Sequence, residues 1–164
     1  MKNFKKIALS VALTSMFAGF AATAHANADE SFDATLSLLA PIDLTEVKGL
    51  DFEPTLANQN VNVVTAPTSV DAAVFTARGT ANWEVKGQVV ESSIVMTTGD
   101  GSDDTKKITV DTFTYGGSMD ASGNAQFSSS GDLSNLRVGG TAHVQANDIA
   151  GEYRGTATFR LTYL

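Results

Sequence analysis

The chain has 164 residues, with 11 lysines and arginines against 18 aspartates and glutamates and a formal charge of −7, an acidity that argues against nucleic acid or an anionic membrane surface as partner. It contains no cysteine, so neither a disulfide framework nor thiol chemistry is open to it. Glycine outnumbers proline 14 to 3, the balance expected of many short strands joined by glycine turns.

Residues 1–26 read as a secretory signal and are set aside from the fold. Lys2, Lys5 and Lys6 form the positive start and residues 7–22 the apolar middle. Ala24-His25-Ala26 is a small-x-small cleavage site, and Ala26-Asn27-Ala28 is an equally good one. The apolar run is short and rich in Ala, Ser and Thr, which favours export over anchoring. No later run resembles it, so the mature chain is expected to have no membrane span. That chain of about 136 to 138 residues is one domain with a substantial core, and losing three lysines takes its formal charge to −10.

Residues 31–44 open with a strand pattern. Phe32, Ala34, Leu36, Leu38 and Ala40 share one phase, with Ser31, Asp33, Thr35, Ser37 and Leu39 between them. Pro41 then interrupts, biasing Ala40 toward extended backbone and removing a ladder donor, as at a hinge between two strand segments. Ile42, Leu44 and Glu46 continue as the second segment, followed by Leu50 and Phe52. Residues 27–40 thus form a separable extension and residues 41–164 the domain. Burying the five apolar side chains of the extension contributes on the order of 8 to 15 kcal/mol, against about 1 to 2 kcal/mol per residue for ordering them. The two nearly cancel, so the segment needs a ready-made groove that also supplies backbone hydrogen bonds. That groove belongs either to a second molecule, by strand addition, or to the segment's own sandwich, of which it is then the first strand.

Short strands follow at residues 60–65, 70–77, 80–85 around Trp83, and 88–98 with Ile94 and Met96. Residues 99–104 form an acidic hairpin loop. Asp100, Asp103 and Asp104 offer oxygens of the kind calcium takes, but their spacing matches no calcium loop and favours a solvated turn. Residues 107–115 alternate, with Ile108, Val110, Thr112 and Thr114 on one face and Thr109, Asp111, Phe113 and Tyr115 on the other. After a turn at 116–124, residues 128–132 lead to Leu133, Leu136 and Val138. Gly139-Gly140 predicts a bulge or bend before a strand at 143–146.

Residues 151–164 close the sequence. Ala157, Phe159, Leu161 and Tyr163 alternate with Thr158, Arg160 and Thr162, the two-residue period of a strand with one buried face. Such a strand leaves an edge and an apolar row for a neighbour to cover. Outside the leader no spacing of three and four persists, and turn signals recur about every ten residues, so the fold class is all-β, a β-sandwich. Trp83, Phe75, Phe113, Phe127, Tyr153 and Phe159 are assigned to its core.

The two ends carry a resemblance. An alternating last strand with Tyr163 next to last and Gly151 about fourteen from the end resembles subunits of chaperone-usher pili. LAPIDLTEVKGLDF near the start and VGGTAHVQANDIAGEYRGTATFRLTYL at the end resemble more closely the bacterial exported family known as domain of unknown function 4402. That family shows P-I/L-x-I/L-T then L-x-F early, and V-G-G-T-L-x-V then G-x-Y-x-G-x-F-x-V-x-V-x-Y late. Ala142 stands where it usually has a large apolar residue, and Glu53 where it tends to have Gly. The resemblance implies an immunoglobulin-like, pilin-like sandwich at the cell surface, reached through the periplasm. It further implies Phe32, Ala34, Leu36, Leu38 and Ala40 as a donor strand. Gly151, Ala157, Phe159, Leu161 and Tyr163 would then be the strand that walls the acceptor groove and is recognised by a periplasmic chaperone. An outer-membrane usher and a homopolymer built by strand exchange, serving adhesion or biofilm, complete that expectation.

No chemistry is expected beside it. His143 is the one histidine beyond the leader and cannot assemble a usual zinc site alone; its place in a strand suits an outward or edge-facing polar residue. No serine lies in a nucleophile elbow, and no glycine-rich loop leads into a helix to hold phosphate. The sequence therefore predicts a structural protein, not an enzyme, with no cofactor. Two other readings remain open: a self-complete sandwich whose loops bind a carbohydrate or host surface, and a secreted matrix protein.

Overall fold

The computed structural model describes residues 28–164, so the leader assigned to residues 1–26 lies outside the described residues. The chain divides into two units, Met1–Leu36 and Ser37–Leu164. In the first, residues 28–36 form no strand, and Phe32 and Leu36 are exposed.

The second unit is a β-sandwich. Its nine strands are β1 (Asp43–Lys48), β2 (Val61–Thr65), β3 (Ala73–Arg78), β4 (Glu84–Val89), β5 (Ser93–Thr97), β6 (Lys107–Gly117), β7 (Asn124–Gln126), β8 (Asp132–Val144) and β9 (Phe159–Tyr163), with one turn of 3-10 helix at Asp104–Lys106. Among the described residues no helix is long and apolar enough to cross a membrane. The larger sheet runs β1-β3-β8-β6-β5, with β2 also on β8; the smaller runs β7-β4-β9. All pairs are antiparallel. β8, 13 residues long, is the spine: its first half pairs with β3 and its second with β2, while its other edge pairs with β6.

Two bulges decide which residues reach the core. In β6 the register against β8 slips between Asp111 and Thr114, and Thr112 sits at φ 50°. The extra residue turns the alternation over, so that Ile108 and Val110 before it and Phe113 and Tyr115 after it all face inward. The unbroken alternation expected for residues 107–115 is corrected by this slip. In β8 the slip falls at Asn135, φ 58°, which keeps both Leu133 and Leu136 inside. Gly139 and Gly140 lie within the continuous β8 strand, and the bulge expected at them occurs on the facing strand instead.

Leu136, Val85, Val110 and Phe127 are the largest fully buried side chains. Phe75 and Phe159 stack between the sheets with centroids 4.6 Å apart. Gly87 makes that possible, since a Cβ there would lie 2.6 Å from the Phe159 ring. Trp83, expected in the core of a strand, precedes β4 instead and remains 38% exposed, meeting Tyr163 edge-on. The strand expected over 88–98 is divided, because the chain leaves the smaller sheet at Val89 and enters the larger one at Ser93.

Candidate functional site: an open seam beside the last strand

The sheets are unequal, six strands over three, so among the described residues part of the larger one has no strand above it. Beneath that gap lie Ile108, Val110, Ala142 and Val144, with Phe52, Val61, Val63, Ile94 and Met96 packed around them. The gap is a seam with two walls. One is the end of β1 and the chain after it, from Glu46 through Leu50 and Phe52 to Ala57; the other is the approach to β9 and its first residue, from Asp148 to Phe159. Between them are two adjoining hollows of about 570 and 320 Å³ that share Leu50, Phe52 and Met96.

The wall at β9 also offers backbone. Leu164 N–H donates to Glu84 O at 3.1 Å and Val90 N–H to Thr158 O at 2.8 Å. The even-numbered residues of the last strand therefore bond to β4, and the N–H and C=O groups of Phe159 and Leu161 point to the edge that, among the described residues, carries no ladder. An apolar floor beside a row of free donors and acceptors is what an added strand requires.

The residues expected to wall a groove are distributed unevenly. Gly151 lines the larger hollow, Ala157 and Phe159 the smaller. Leu161 is buried and Tyr163 packs against the same core cluster, so these two hold β9 in place and leave the hollows to others. Of the residues expected to be donated, Leu38 is exposed, and Ala40 is bonded through its backbone to Thr80 and Tyr163. Leu50, Phe52, Met96 and Val110 were not singled out from sequence as seam residues. Their one signal was Leu50 and Phe52 two apart after the first domain strand.

Charge around the larger hollow is negative, from Asp51, Glu53, Asp148 and Glu152. Asp148 is buried and accepts the Gln145 N–H at 2.8 Å. Tyr153 donates to Ile149 O at 2.8 Å, and burial, with Asp148 and Asp103 nearby, pushes its hydroxyl above its ordinary range.

Elsewhere polar groups are paired locally. His143, on the outer face of the larger sheet, places Nε2 2.8 Å from Asp111 Oδ1 and Nδ1 2.8 Å from Asn62 Oδ1, tying β6, β8 and β2 together. The bond from His143 holds the Asp111 carboxyl below its usual range. In the acidic loop, Lys106 Nζ lies 2.7 Å from Asp100 and 3.6 Å from Asp103, and Lys107 Nζ 3.1 Å from Asp104. The carboxylates are answered by lysines, and among the described residues no group of three or more His, Cys, Asp or Glu is placed to hold a metal.

The hydrogen bond from Lys106, with the Ser102 N–H, takes Asp100 down to about 2. Since its folded pKa lies below the unfolded value of about 3.9, the loop's contribution is complete above that value and lost as pH falls through about 2. A carboxylate NMR titration of Asp100 should give a midpoint near 2, and Lys106→Met should move it up toward 4.

The sequence profile of a family described as a domain of unknown function (DUF4402) matches residues 54–163. No curated protein and no solved structure matches the chain.

Proposed function

We infer that the chain, which belongs to the domain of unknown function (DUF4402) family, is a structural subunit of a pilus or surface filament assembled by strand exchange. In this reading the expected donor segment, Phe32 to Ala40, of one copy is laid beside β9 and its approach in the next, with Phe32, Ala34, Leu36 and Leu38 directed into the seam and Ala40 at the junction with the donating domain. A periplasmic chaperone holds the seam before assembly, an outer-membrane usher catalyses the exchange, and the filament serves adhesion or biofilm. The observation that carries this reading is the seam itself, with its apolar floor and the free backbone edge of Phe159 and Leu161.

Charge supports one orientation. The extension is acidic at its start, with Asp29, Glu30 and Asp33, and the larger hollow is rimmed by acids. Like charges are farthest apart when Leu36 and Leu38 enter the larger hollow and Phe32 lies toward Phe159, with the donated strand antiparallel to β9.

The test is a denaturing gel of material sheared from cells, run unboiled and boiled. A ladder that collapses on boiling to one band at the mature mass is expected, because exchanged strands are released only by unfolding. One band in both lanes would overturn the reading.

A further inference from the structure

Ala40 ends the segment assigned to donation, and both of its backbone polar groups are held. Its N–H donates to Thr80 Oγ1 at 2.7 Å, and its carbonyl accepts from the Tyr163 hydroxyl at 2.8 Å. That hydroxyl also accepts the Thr80 N–H at 2.7 Å, so its donor and acceptor roles are both used. The position is built for it. A Cβ on Gly79 would lie 2.5 Å from the hydroxyl oxygen, so only glycine leaves it room. The rings of Phe127 and Trp83 pack on Tyr163 at 5.9 and 6.2 Å.

For the extension to fill its own seam, the chain must reverse at Ala40 and Pro41 and run back beside β1. A tight hairpin there would put Pro41 at the second central position of the turn, where its fixed φ and its clash with Ala40 are unfavourable. Ala40 would also have to give up both bonds to enter the turn. Meanwhile Leu38 is 86% exposed while Leu39 is half-buried, so just before Ala40 the chain turns the alternate residue inward and Leu38 outward.

The geometry points to a clamp: Tyr163 and Thr80 hold Ala40 so that the extension is kept out of its own molecule's seam and presented to a second copy. Tyr163 is then a positioning residue for exchange, besides its place in the apolar row of β9. This rests on the strand-exchange reading.

Tyr163→Phe keeps the ring and removes the hydroxyl; Thr80→Val removes the acceptor for Ala40; Thr80→Ser retains it. Full-length variants exported from cells are compared on unboiled gels for polymer and monomer. Tyr163→Phe and Thr80→Val should each lower the polymer fraction about fivefold or more, a single hydrogen bond's worth of bias. The monomer band should gain what the ladder loses, and Thr80→Ser should restore the wild-type pattern. A wild-type ladder left unchanged by both Tyr163→Phe and Thr80→Val would overturn the clamp alone. Absence of a ladder from the wild type would instead overturn strand exchange, and the clamp's role with it. If Tyr163→Phe fails to accumulate, the contrast between Thr80→Val and Thr80→Ser decides: equal ladders overturn the clamp.

Discussion

Leu36→Asp should abolish the polymer ladder and leave a folded monomer. Leu36 lies in the first unit, outside every strand of the sandwich, so a charge there costs the sandwich itself less than about 0.5 kcal/mol. In the exchanged state the same side chain would be laid on the floor formed by Ile108, Val110, Ala142 and Val144. An unpaired carboxylate there costs at least several kcal/mol, and each 1.4 kcal/mol is about tenfold in the equilibrium. Assembly should therefore fall by about a thousandfold or more. The monomer so obtained also provides the reverse experiment. A peptide of residues 29–40 should raise its melting temperature, since at about 100 times Kd a ligand of the native state adds about 2.7 kcal/mol. For a domain of this size that is a rise of about 10 °C. The same peptide with Asp in place of Leu36 should produce none. A normal ladder from the Leu36→Asp chain would remove the extension from the assembly mechanism.

What the sequence made legible follows from periodicity. The alternation of Phe159, Leu161 and Tyr163 places a half-buried strand where β9 is found, and Ile42 and Leu44 after Pro41 anticipate β1. Two-residue alternation requires only that successive side chains take opposite faces, and it holds until an extra residue intervenes. Thr112 is such a residue, and nothing about a β-branched side chain announces φ 50°. For that reason Phe113 and Tyr115 lie on the same side as Ile108 and Val110, where unbroken alternation predicts the opposite side. Gly139-Gly140 signalled a disturbance in the right place, but the additional residue sits on the strand opposite. The seam was less legible than the strands that frame it. Its walls, Leu50 and Phe52 on one side and residues 155–159 on the other, are more than a hundred positions apart, and only the pairing of the strands into two unequal sheets places them across one hollow. Strand count per sheet depends on pairing, which no local pattern encodes. Trp83 was assigned to the core because large aromatics usually are; its ring instead closes the Tyr163 end of β9.

Adjacent glycines in β8 should respond very unequally to the same small change. A Cβ on Gly139 would stand 2.2 Å from Thr65 O, 2.8 Å from Pro67 N and 2.9 Å from Ala66 C, all backbone atoms. There the chain leaves β2 and crosses β8 on its way to β3, so the backbone of residues 65–67 must shift. That displacement strains two tethers: Thr65 Oγ1 donating to Asp51 O at 2.8 Å, and Arg137 donating from Nε to Pro67 O at 2.5 Å and from its terminal nitrogen to Ser69 O. A Cβ on Gly140 would meet only side-chain atoms, Leu50 at 3.3 Å and Phe113 at 3.4 Å, which can turn aside. Gly139→Ala should therefore cost about 3 kcal/mol, the upper part of the range for overpacking, and lower the melting temperature by roughly 10 °C. Gly140→Ala should cost less than about 1 kcal/mol, with part of the strain offset by the lower entropy of the unfolded chain. Urea unfolding of the two variants measures the difference. Equal losses would mean that residues 65–67 do not press on Gly139. Because Thr65 tethers Asp51 and so the wall that bears Leu50 and Phe52, Gly139→Ala should also weaken binding of the 29–40 peptide, whereas Gly140→Ala, whose Cβ faces Leu50 directly, tests whether that wall moves without loss of the fold.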